Sequence, residues 1–232
     1  MYKVAGIVFE AKDCGSVFEE RSPKYRVEEG VPEFTVAVTE EDIRLSHEEN
    51  PRASREAIVY LLSGTMFYFQ LIKRGGMLLH SSAVVKDGRA YLFTANPGVG
   101  KSTHTSWWLK LYPDAYILND DKPALRLIDG RFYAFGTPWS GKHDISVNEG
   151  VPLGGIACLE RAEENFIEPM PTAQAAVKLL SQTVRHVRPA VMDRLLDTFD
   201  LLIRDVPIYR FGCVNDISAA ELSSKIMLNN AR

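Results

Sequence analysis

The sequence predicts an α/β fold built on a mixed sheet, in a chain of 232 residues. Strand-like and helix-like segments are interleaved along the chain, which is typical of domains whose helices cover a sheet. Two tight-turn signals, Asp87-Gly88 and Asp129-Gly130, each lie between short apolar runs and predict β-hairpins. Because hairpins make antiparallel neighbours, we expect a mixed sheet rather than a purely parallel one.

The first 76 residues predict a strand-rich part followed by one helix. Gly, Pro and acidic residues separate three predicted short strands, at residues 3–9, 34–38 and 43–45. Asn50 and Pro51 predict the start of a helix, because Asn is a good cap and Pro suits the first helical position. Gly75-Gly76 predicts its end. We expect residues 1–76 to pack on the same core as a second part, residues 77–232.

The second part predicts alternating hairpins, buried strands and helices. Strands "MLLHSSAVV" and "RAYLF" flank Asp87-Gly88, and strands "PALRLI" and "RFYAF" flank Asp129-Gly130. Other buried strands are predicted for "AYILNDD", "GGIACLE" and "VPIYRF". Helices are predicted at about 102–112, 172–184 and 190–203, and Ser218 with Glu221 predicts a capping box for a last helix.

Composition and charge argue against several classes of protein. The net charge is −3 with no basic stripe, so we expect no nucleic-acid partner. No apolar run approaches about 18 residues, so no membrane span is expected. Glu10, Lys12 and Asp13 interrupt the N-terminal region, which therefore does not predict a signal peptide. Three dispersed Cys without a CxxC pair predict a reduced, cytoplasmic protein and no zinc site.

A glycine-rich stretch, residues 95–102, carries the strongest chemical signal. It follows the pattern Gly, four residues, Gly, Lys and Ser or Thr, with Ala95 in place of the first Gly. Glycines let backbone N–H groups face a polyphosphate, and the following helix N-terminus adds partial positive charge. We therefore expect a nucleotide to be bound by Asn96, Pro97, Gly98, Val99, Gly100, Lys101, Ser102 and Thr103.

Two adjacent carboxylates, Asp120 and Asp121, end a buried strand 18 residues after Ser102. So short a return brings the strand end beside the glycine-rich stretch. Adjacent residues on an extended chain point different ways, so one carboxylate can serve a metal while the other acts as a base. The alternative is a solvated turn, since Asn-Asp-Asp before Lys-Pro is good turn chemistry.

Several other polar and aromatic residues have two interpretations. His80 lies one strand before the glycine-rich stretch, where it either hydrogen-bonds a γ-phosphate or is a partly buried sheet histidine. The loop 136–144 either covers an acceptor site, with Lys142 steadying phosphate charge, or is pinned by a buried Trp139. His104 is expected on a helix surface. Trp107 and Trp108 are either core or stacking residues, and the core is favoured because aromatics on a helix against a sheet usually pack. A helix end is expected at the basic cluster Arg185, His186 and Arg188.

The order of these motifs resembles the HPr kinase/phosphorylase catalytic domain, which is related in fold to ATP-dependent phosphoenolpyruvate carboxykinase. The resemblance rests on His80, "NPGVGKS" and "NDD", and covers about residues 77–160. The fuller string, from "LLHSSAVV" to "GTPWSGK", resembles a broad set of bacterial HPr-kinase-like proteins. Some of those lie in peptide-modification gene clusters and include kinases acting on lasso peptides.

The resemblance implies a mixed-sheet P-loop kinase domain that uses ATP and Mg²⁺. By it, Lys101 and Ser102 bind ATP and Mg²⁺, Asp120 is the base, Asp121 assists the metal, and His80 lies near the transferred phosphate. The sequence departs from the family at "GTPWSGKHD", where the bifunctional enzyme carries further signature residues. Protein HPr as acceptor and the reverse phosphorylase reaction are therefore not carried over.

The function expected from the sequence is an ATP-dependent, Mg²⁺-requiring kinase. Its acceptor would be the hydroxyl of a small molecule, a peptide or a protein serine. Two alternatives stay open, a nucleotide-hydrolysing P-loop switch and a non-catalytic nucleotide-binding regulator in a peptide-modification system. The choice of ATP, GTP or pyrophosphate and the formation of a homo-oligomer are also left open.

Overall fold

The computed structural model describes residues 1–185 and 188–230. The N-terminal part contains β1 (Tyr2–Val4), β2 (Ile7–Lys12), α1 (Gly15–Arg21), a 3₁₀ turn (Pro23–Tyr25), β3 (Thr35–Ala37), α2 (Glu40–Glu49) and α3 (Arg55–Ile72). Next come β4 (Gly76–Leu78), β5 (Ser81–Lys86), β6 (Arg89–Thr94), α4 (Lys101–Leu111), β7 (Tyr116–Asp121), β8 (Ala124–Ile128) and β9 (Arg131–Phe135). The last elements are β10 (Gly150–Arg161), β11 (Phe166–Pro169), α5 (Thr172–Leu180), α6 (Pro189–Asp205), β12 (Ile208–Cys213) and α7 (Ile217–Asn229).

The large sheet is mixed, as predicted. Its main path runs β4-β8-β9-β10-β6-β5-β7, and β12 pairs with β10 while β11 pairs with β12. Strand β10 pairs antiparallel with β9 in its first residues and parallel with β6 and β12 further on. The parallel strands β6, β10 and β12 therefore end at the same edge of the sheet. A separate three-stranded sheet has the order β1-β2-β3.

Both predicted hairpins are present. Asp87-Gly88 joins β5 to β6 and Asp129-Gly130 joins β8 to β9, and all four residues have positive φ. Two consecutive positive φ values are what a two-residue hairpin of the favoured hand requires. The strand predicted at 3–9 is itself a hairpin, β1 and β2, because Ala5 and Gly6 also have positive φ.

Three sequence predictions are wrong: one strand lies inside a helix, and two helix starts have other capping residues. The strand predicted at 43–45 lies inside α2, because Thr39 caps that helix and shares a reciprocal capping box with Asp42. Asn50 ends α2 instead of starting the next helix, and Ser54 caps α3. The last helix is capped by Asp216, whose carboxylate accepts from the Ser218 amide, so Ser218 is not the cap.

Helices cover both faces of the large sheet. On one face, apolar residues of α5 and α6 pack with the sheet in a cluster that includes Leu179, Leu195 and Phe199. On the other face, Trp108 of α4 packs with β6, β12 and α7. The N-terminal sheet and α3 share a third cluster with Trp139. The helix α4 therefore packs against both the sheet and α7, with its first turn at the sheet edge.

Two further expectations concern membrane-spanning helices and the cysteines. Within residues 1–185 and 188–230, no helix is both long and apolar enough to cross a bilayer. Cys14, Cys158 and Cys213 are free thiols. In the expected basic cluster, His186 lies outside the described residues.

Candidate active site

A cavity of about 570 Å³ lies at the first turn of α4. Its walls are formed by His80, Gly98, Gly100, Lys101, Ser102, Thr103, Asp120, Asp121, Gly141, Lys142 and His143. The fold thus brings together residues from four places in the sequence that were singled out as candidates. Asn96, Pro97 and Val99 do not line this cavity; the Asn96 amide oxygen instead accepts from Gln182 Nε2 at 3.2 Å.

The glycine-rich loop, defined here as residues 95–102, connects β6 directly to α4. Gly98 and Gly100 have φ values of 79° and 121°, and nothing lies within 4 Å of a Cβ added at either position. Glycine is therefore favoured at both positions by the positive φ of the backbone, and not by a lack of room for a side chain. Helix α4 begins at Lys101, so unpaired N–H groups of its first turn lie at this loop.

Lys101 is the cation of the loop. Its Nζ donates to the carbonyl oxygen of Ala95 at 3.2 Å, so the side chain folds back over the loop. Burial lowers the pKa of Lys101, while the charges of Asp121 and Asp120 act in the opposite direction. A partly buried ammonium with few partners is well suited to bind an incoming anion.

The carboxylate pair, Asp120 and Asp121, is positioned by strand register. Strand β7 pairs antiparallel with β5, with Ser82 opposite Asp120 and Ser81 opposite Asp121. Ser102 Oγ donates to Asp120 Oδ1 at 2.9 Å, which links the end of β7 to the first turn of α4. The predicted return of this strand to the glycine-rich loop is what the structure shows.

Asp121 is held by two basic side chains. His80 directly precedes β5, so its Nε2 lies 3.0 Å from Asp121 Oδ1, and Lys122 Nζ lies 3.6 Å from Oδ2. Burial alone would raise the pKa of Asp121, but the His80 hydrogen bond and the charges of Lys122 and Lys101 lower it overall. Asp121 also has a φ of 133°, a strained value for a residue other than glycine.

The backbone of His80 is fixed from both sides. Its N–H donates to the Gln182 carbonyl at 2.7 Å, and its own carbonyl accepts from Thr94 Oγ1 at 2.8 Å. Gln182 also contacts Asn96, so it ties His80 to the glycine-rich loop. Sequence reasoning did not find Gln182, since it lies in the turn after α5 with no motif around it.

The 136–144 loop forms the far wall of the cavity through Gly141, Lys142 and His143. The Gly141 N–H donates to the Asp120 carbonyl, and a Cβ on Gly141 would lie 2.8 Å from that oxygen. Arg21, in α1, holds the loop from outside by donating to the Ser140 carbonyl at 2.8 Å. Tyr60, in α3, lies 3.0 Å from the same carbonyl and 2.8 Å from Arg21. No sequence signal pointed to this contact between the N-terminal part and the site.

Trp139 and His104 are both buried, and the burial of each decides between the interpretations that the sequence allowed. Trp139 is fully buried and donates from Nε1 to Ser63 Oγ at 3.0 Å, so it pins the 136–144 loop and does not cover the cavity. The prediction that His104 lies on a helix surface is wrong. His104 is 4% exposed, packs between Phe93 and Phe211, and lies 3.0 Å from Ser223 Oγ, because α7 covers this side of α4.

The donor atoms around the cavity are oxygen-rich. Within residues 1–185 and 188–230, no three His, Cys, Asp or Glu side chains form a cluster that could hold a metal alone. The oxygens of Ser102 and of the carboxylate pair nevertheless suit Mg²⁺, which usually keeps several waters and shares ligands with substrate phosphates. The residues present therefore fit a magnesium ion that arrives with a phosphorylated ligand.

Comparison with known proteins identifies one family. A family model described as "SynChlorMet cassette protein ScmC" matches residues 49–211. Among solved structures, the chain is similar to one described as the Hpr(Ser) kinase/phosphatase from Coxiella burnetii. The two are 15% identical over 66% of this chain and 94% of that chain, with a TM-score of 0.36. No curated protein matches the chain.

Proposed function

The chain belongs to the family described as SynChlorMet cassette protein ScmC, and we propose that it is an ATP-dependent, Mg²⁺-requiring phosphotransferase. It would move the γ-phosphate of ATP onto a hydroxyl group. One observation carries the proposal: Lys101, Ser102, Asp120, Asp121 and His80 surround a single cavity at a glycine-rich helix start. Cation, hydroxyl and carboxylate are the side chains that phosphoryl transfer needs, because its catalysis is mainly positioning and charge stabilisation.

The phosphate end of the nucleotide would lie on the glycine-rich loop. Gly98 and Gly100 leave the loop amides without side-chain cover, and the first turn of α4 offers further N–H groups. Lys101 would exchange its contact with the Ala95 carbonyl for the outer phosphates. That exchange is favourable because a charged acceptor replaces a neutral one.

The two carboxylates have different partners, which supports different roles. Asp120 contacts a neutral hydroxyl, Ser102, whereas both oxygens of Asp121 face basic groups. Asp121 is therefore already engaged by basic side chains, and Asp120 is the better candidate to accept a proton from an acceptor hydroxyl. We assign Asp120 as the general base.

The magnesium ion would be held by Ser102 and Asp121 together with the nucleotide phosphates. When bound, it would supply positive charge to the phosphate oxygens. His80 would keep Asp121 in place through the 3.0 Å contact and lie beside the transferred phosphate. Lys142 and His143 line the same cavity from the 136–144 loop, on the side where an acceptor would enter.

The test follows the label of γ-³²P-ATP. The purified chain is incubated with labelled ATP, Mg²⁺ and an extract of cells that encode it, beside Asp120→Asn and Lys101→Ala. Asp129→Asn is the matched control, since Asp129 is an exposed residue of the turn between β8 and β9 and does not line the cavity. We expect the wild type and the control to label one defined molecule, and both site variants to lose at least 100-fold in rate.

The opposite outcomes are equally clear. Label that appears only as inorganic phosphate would indicate a hydrolase and overturn the proposal. Labelling by Asp120→Asn at the wild-type rate would remove the carboxylate from the chemistry. Tight ATP binding with no release of label would leave a nucleotide-binding regulator.

A further inference from the structure

A second cavity, of about 440 Å³, adjoins the glycine-rich loop on the side away from the carboxylate pair. Its lining comes from the loop, from α4 and from the ends of β10 and β12: Gly98, Val99, Gly100, Thr103, His104, Trp107, Arg161, Ala162, Cys213, Val214 and Asn215. The phosphotransferase proposed above makes no use of this cavity.

The second cavity lies at the carboxyl ends of parallel strands, a position where ligands bind in many α/β proteins. Strands β6, β10 and β12 are parallel neighbours, and the cavity is lined by residues at the carboxyl ends of β10 and β12 and by the glycine-rich loop that follows β6. In open α/β sheets, ligands bind in the crevice outside the carboxyl ends of such strands. The carboxylate pair ends β7, on the other side of β6, so the two cavities flank the glycine-rich loop.

The lining of the second cavity is neutral apart from one arginine. Arg161 Nη2 donates to the Gly98 carbonyl at 2.8 Å, so that guanidinium is already committed to the loop. His104 is an uncharged floor, because burial lowers its pKa to about 3. Trp107 supplies a half-buried aromatic wall, and Asn215 supplies an exposed amide that can both donate and accept. Such a surface suits a heteroaromatic ring better than a phosphate.

The two cavities share part of their lining. Gly98, Gly100 and Thr103 line both of them, so a ligand laid across the glycine-rich loop can reach into both. A triphosphate whose outer end reaches the carboxylate pair has its opposite end directed at the second cavity. Inorganic pyrophosphate or tripolyphosphate would occupy the loop and leave this cavity unused.

We infer that the second cavity holds the nucleoside of the phosphate donor, with the base against Trp107 and its polar edge at Asn215. The inference rests on the proposed phosphotransferase function for the position of the phosphates. It selects a nucleoside triphosphate over an inorganic polyphosphate as the donor. Aromatic side chains bind bases through their π faces, and an amide at the edge adds hydrogen bonds.

Calorimetric titration with ATP and with tripolyphosphate, each with Mg²⁺, tests the inference without any turnover. We expect the wild type to bind ATP at least tenfold more tightly than tripolyphosphate. Trp107→Leu and Asn215→Ala should each weaken ATP at least fivefold and change tripolyphosphate less than twofold. Ser106→Ala, an exposed neighbour of Trp107 on α4 that does not line the cavity, should change neither affinity.

Two patterns of affinity overturn the inference, and a third result separates it from the proposed function. Equal affinity of the wild type for ATP and tripolyphosphate would place no nucleoside in the cavity, while the phosphate site would stand. Equal weakening of both ligands by Asn215→Ala, a substitution at an exposed side chain, would assign that residue to the phosphates. A chain that binds ATP as expected but transfers no phosphate would sink the proposed function and leave the nucleoside site intact.

Discussion

Arg21 anchors the 136–144 loop beside the candidate active site, and Arg21→Met is expected to release that loop. The guanidinium donates to the Ser140 carbonyl and to the Tyr60 hydroxyl, both at 2.8 Å, and its side chain is 17% exposed. Its third partner, Asp144, lies 3.8 Å away and is 42% exposed, so that ion pair contributes little. The bond to Ser140 is therefore the main direct contact between Arg21 and the loop.

The expected size of the effect follows from that single bond. A partly buried hydrogen bond from a charged donor stabilises by about 1.5–3 kcal/mol. Because about 1.4 kcal/mol is a factor of ten, local opening of the loop should become about 10- to 150-fold more frequent. Tyr60 keeps its own contacts with Pro138 and Ser140, so the loop should open more often without being lost.

Amide hydrogen exchange at Gly141 and Asp144 measures this opening directly. The Gly141 N–H donates to the Asp120 carbonyl, and the Asp144 N–H donates to the Gly141 carbonyl at 3.1 Å. Both amides should exchange about 10- to 150-fold faster in Arg21→Met, because protection reports the free energy of local opening. Arg21→Lys should recover part of the protection, since it keeps the charge but lacks the planar guanidinium whose Nη1 reaches both Tyr60 and Ser140.

A surface variant and the rest of the sheet provide the controls. Arg44→Met removes an arginine that is 54% exposed on α2 and should leave both amides at wild-type rates. The reasoning is refuted if Gly141 and Asp144 exchange at wild-type rates in a folded Arg21→Met chain. It is also refuted if amides throughout β10 speed up equally, since that pattern means global destabilisation.

Three further predictions concern charge, pH and packing. Lys101→Met should weaken ATP binding at least tenfold in calorimetry, while Lys225→Met, on the exposed face of α7, should not; equal affinities would remove Lys101 from the site. Burial lowers the pKa of His104 from 6.5 to about 3, so its stabilising effect is complete above pH 6.5 and is lost as the pH falls toward 3. Denaturant unfolding should show the wild type losing roughly 2 kcal/mol between pH 7 and pH 5 that His104→Gln does not lose, and parallel pH curves would contradict this. Gly64→Ala would put a Cβ 2.8 Å from Trp139 Cδ1 and should lower the free energy of unfolding by about 1–3 kcal/mol, whereas a stabilised variant would refute that clash.

Tight turns were predictable from the sequence because a few neighbouring residues determine their backbone conformation. Asp87-Gly88 specifies a tight hairpin through its own backbone preferences, and the structure has that hairpin. The apolar residues at 43–45 by themselves predict a strand, but Thr39 and Asp42 form a capping box that starts a helix over this run. Capping residues outside an apolar run can thus override the pattern inside it.

The candidate site was predictable where its parts are close in sequence. Asp120 returns to Ser102 through one short helix and one strand, so their proximity followed from chain length, and the two side chains are in contact. Arg21 and Gln182 reach the site from distant segments, and no spacing rule connects them to it. His104 shows the same limit, because the burial that decides its environment comes from α7, more than a hundred residues later.

A phosphorus NMR spectrum tests phosphoryl transfer most directly. The purified chain is mixed with ATP, Mg²⁺ and the extract fraction that takes up label, and the spectrum is recorded over time beside Asp120→Asn. The proposed function predicts a phosphomonoester resonance that grows in step with ADP in the wild type and is absent from the variant. Growth of inorganic phosphate alone, or an equal phosphomonoester signal from Asp120→Asn, would contradict it.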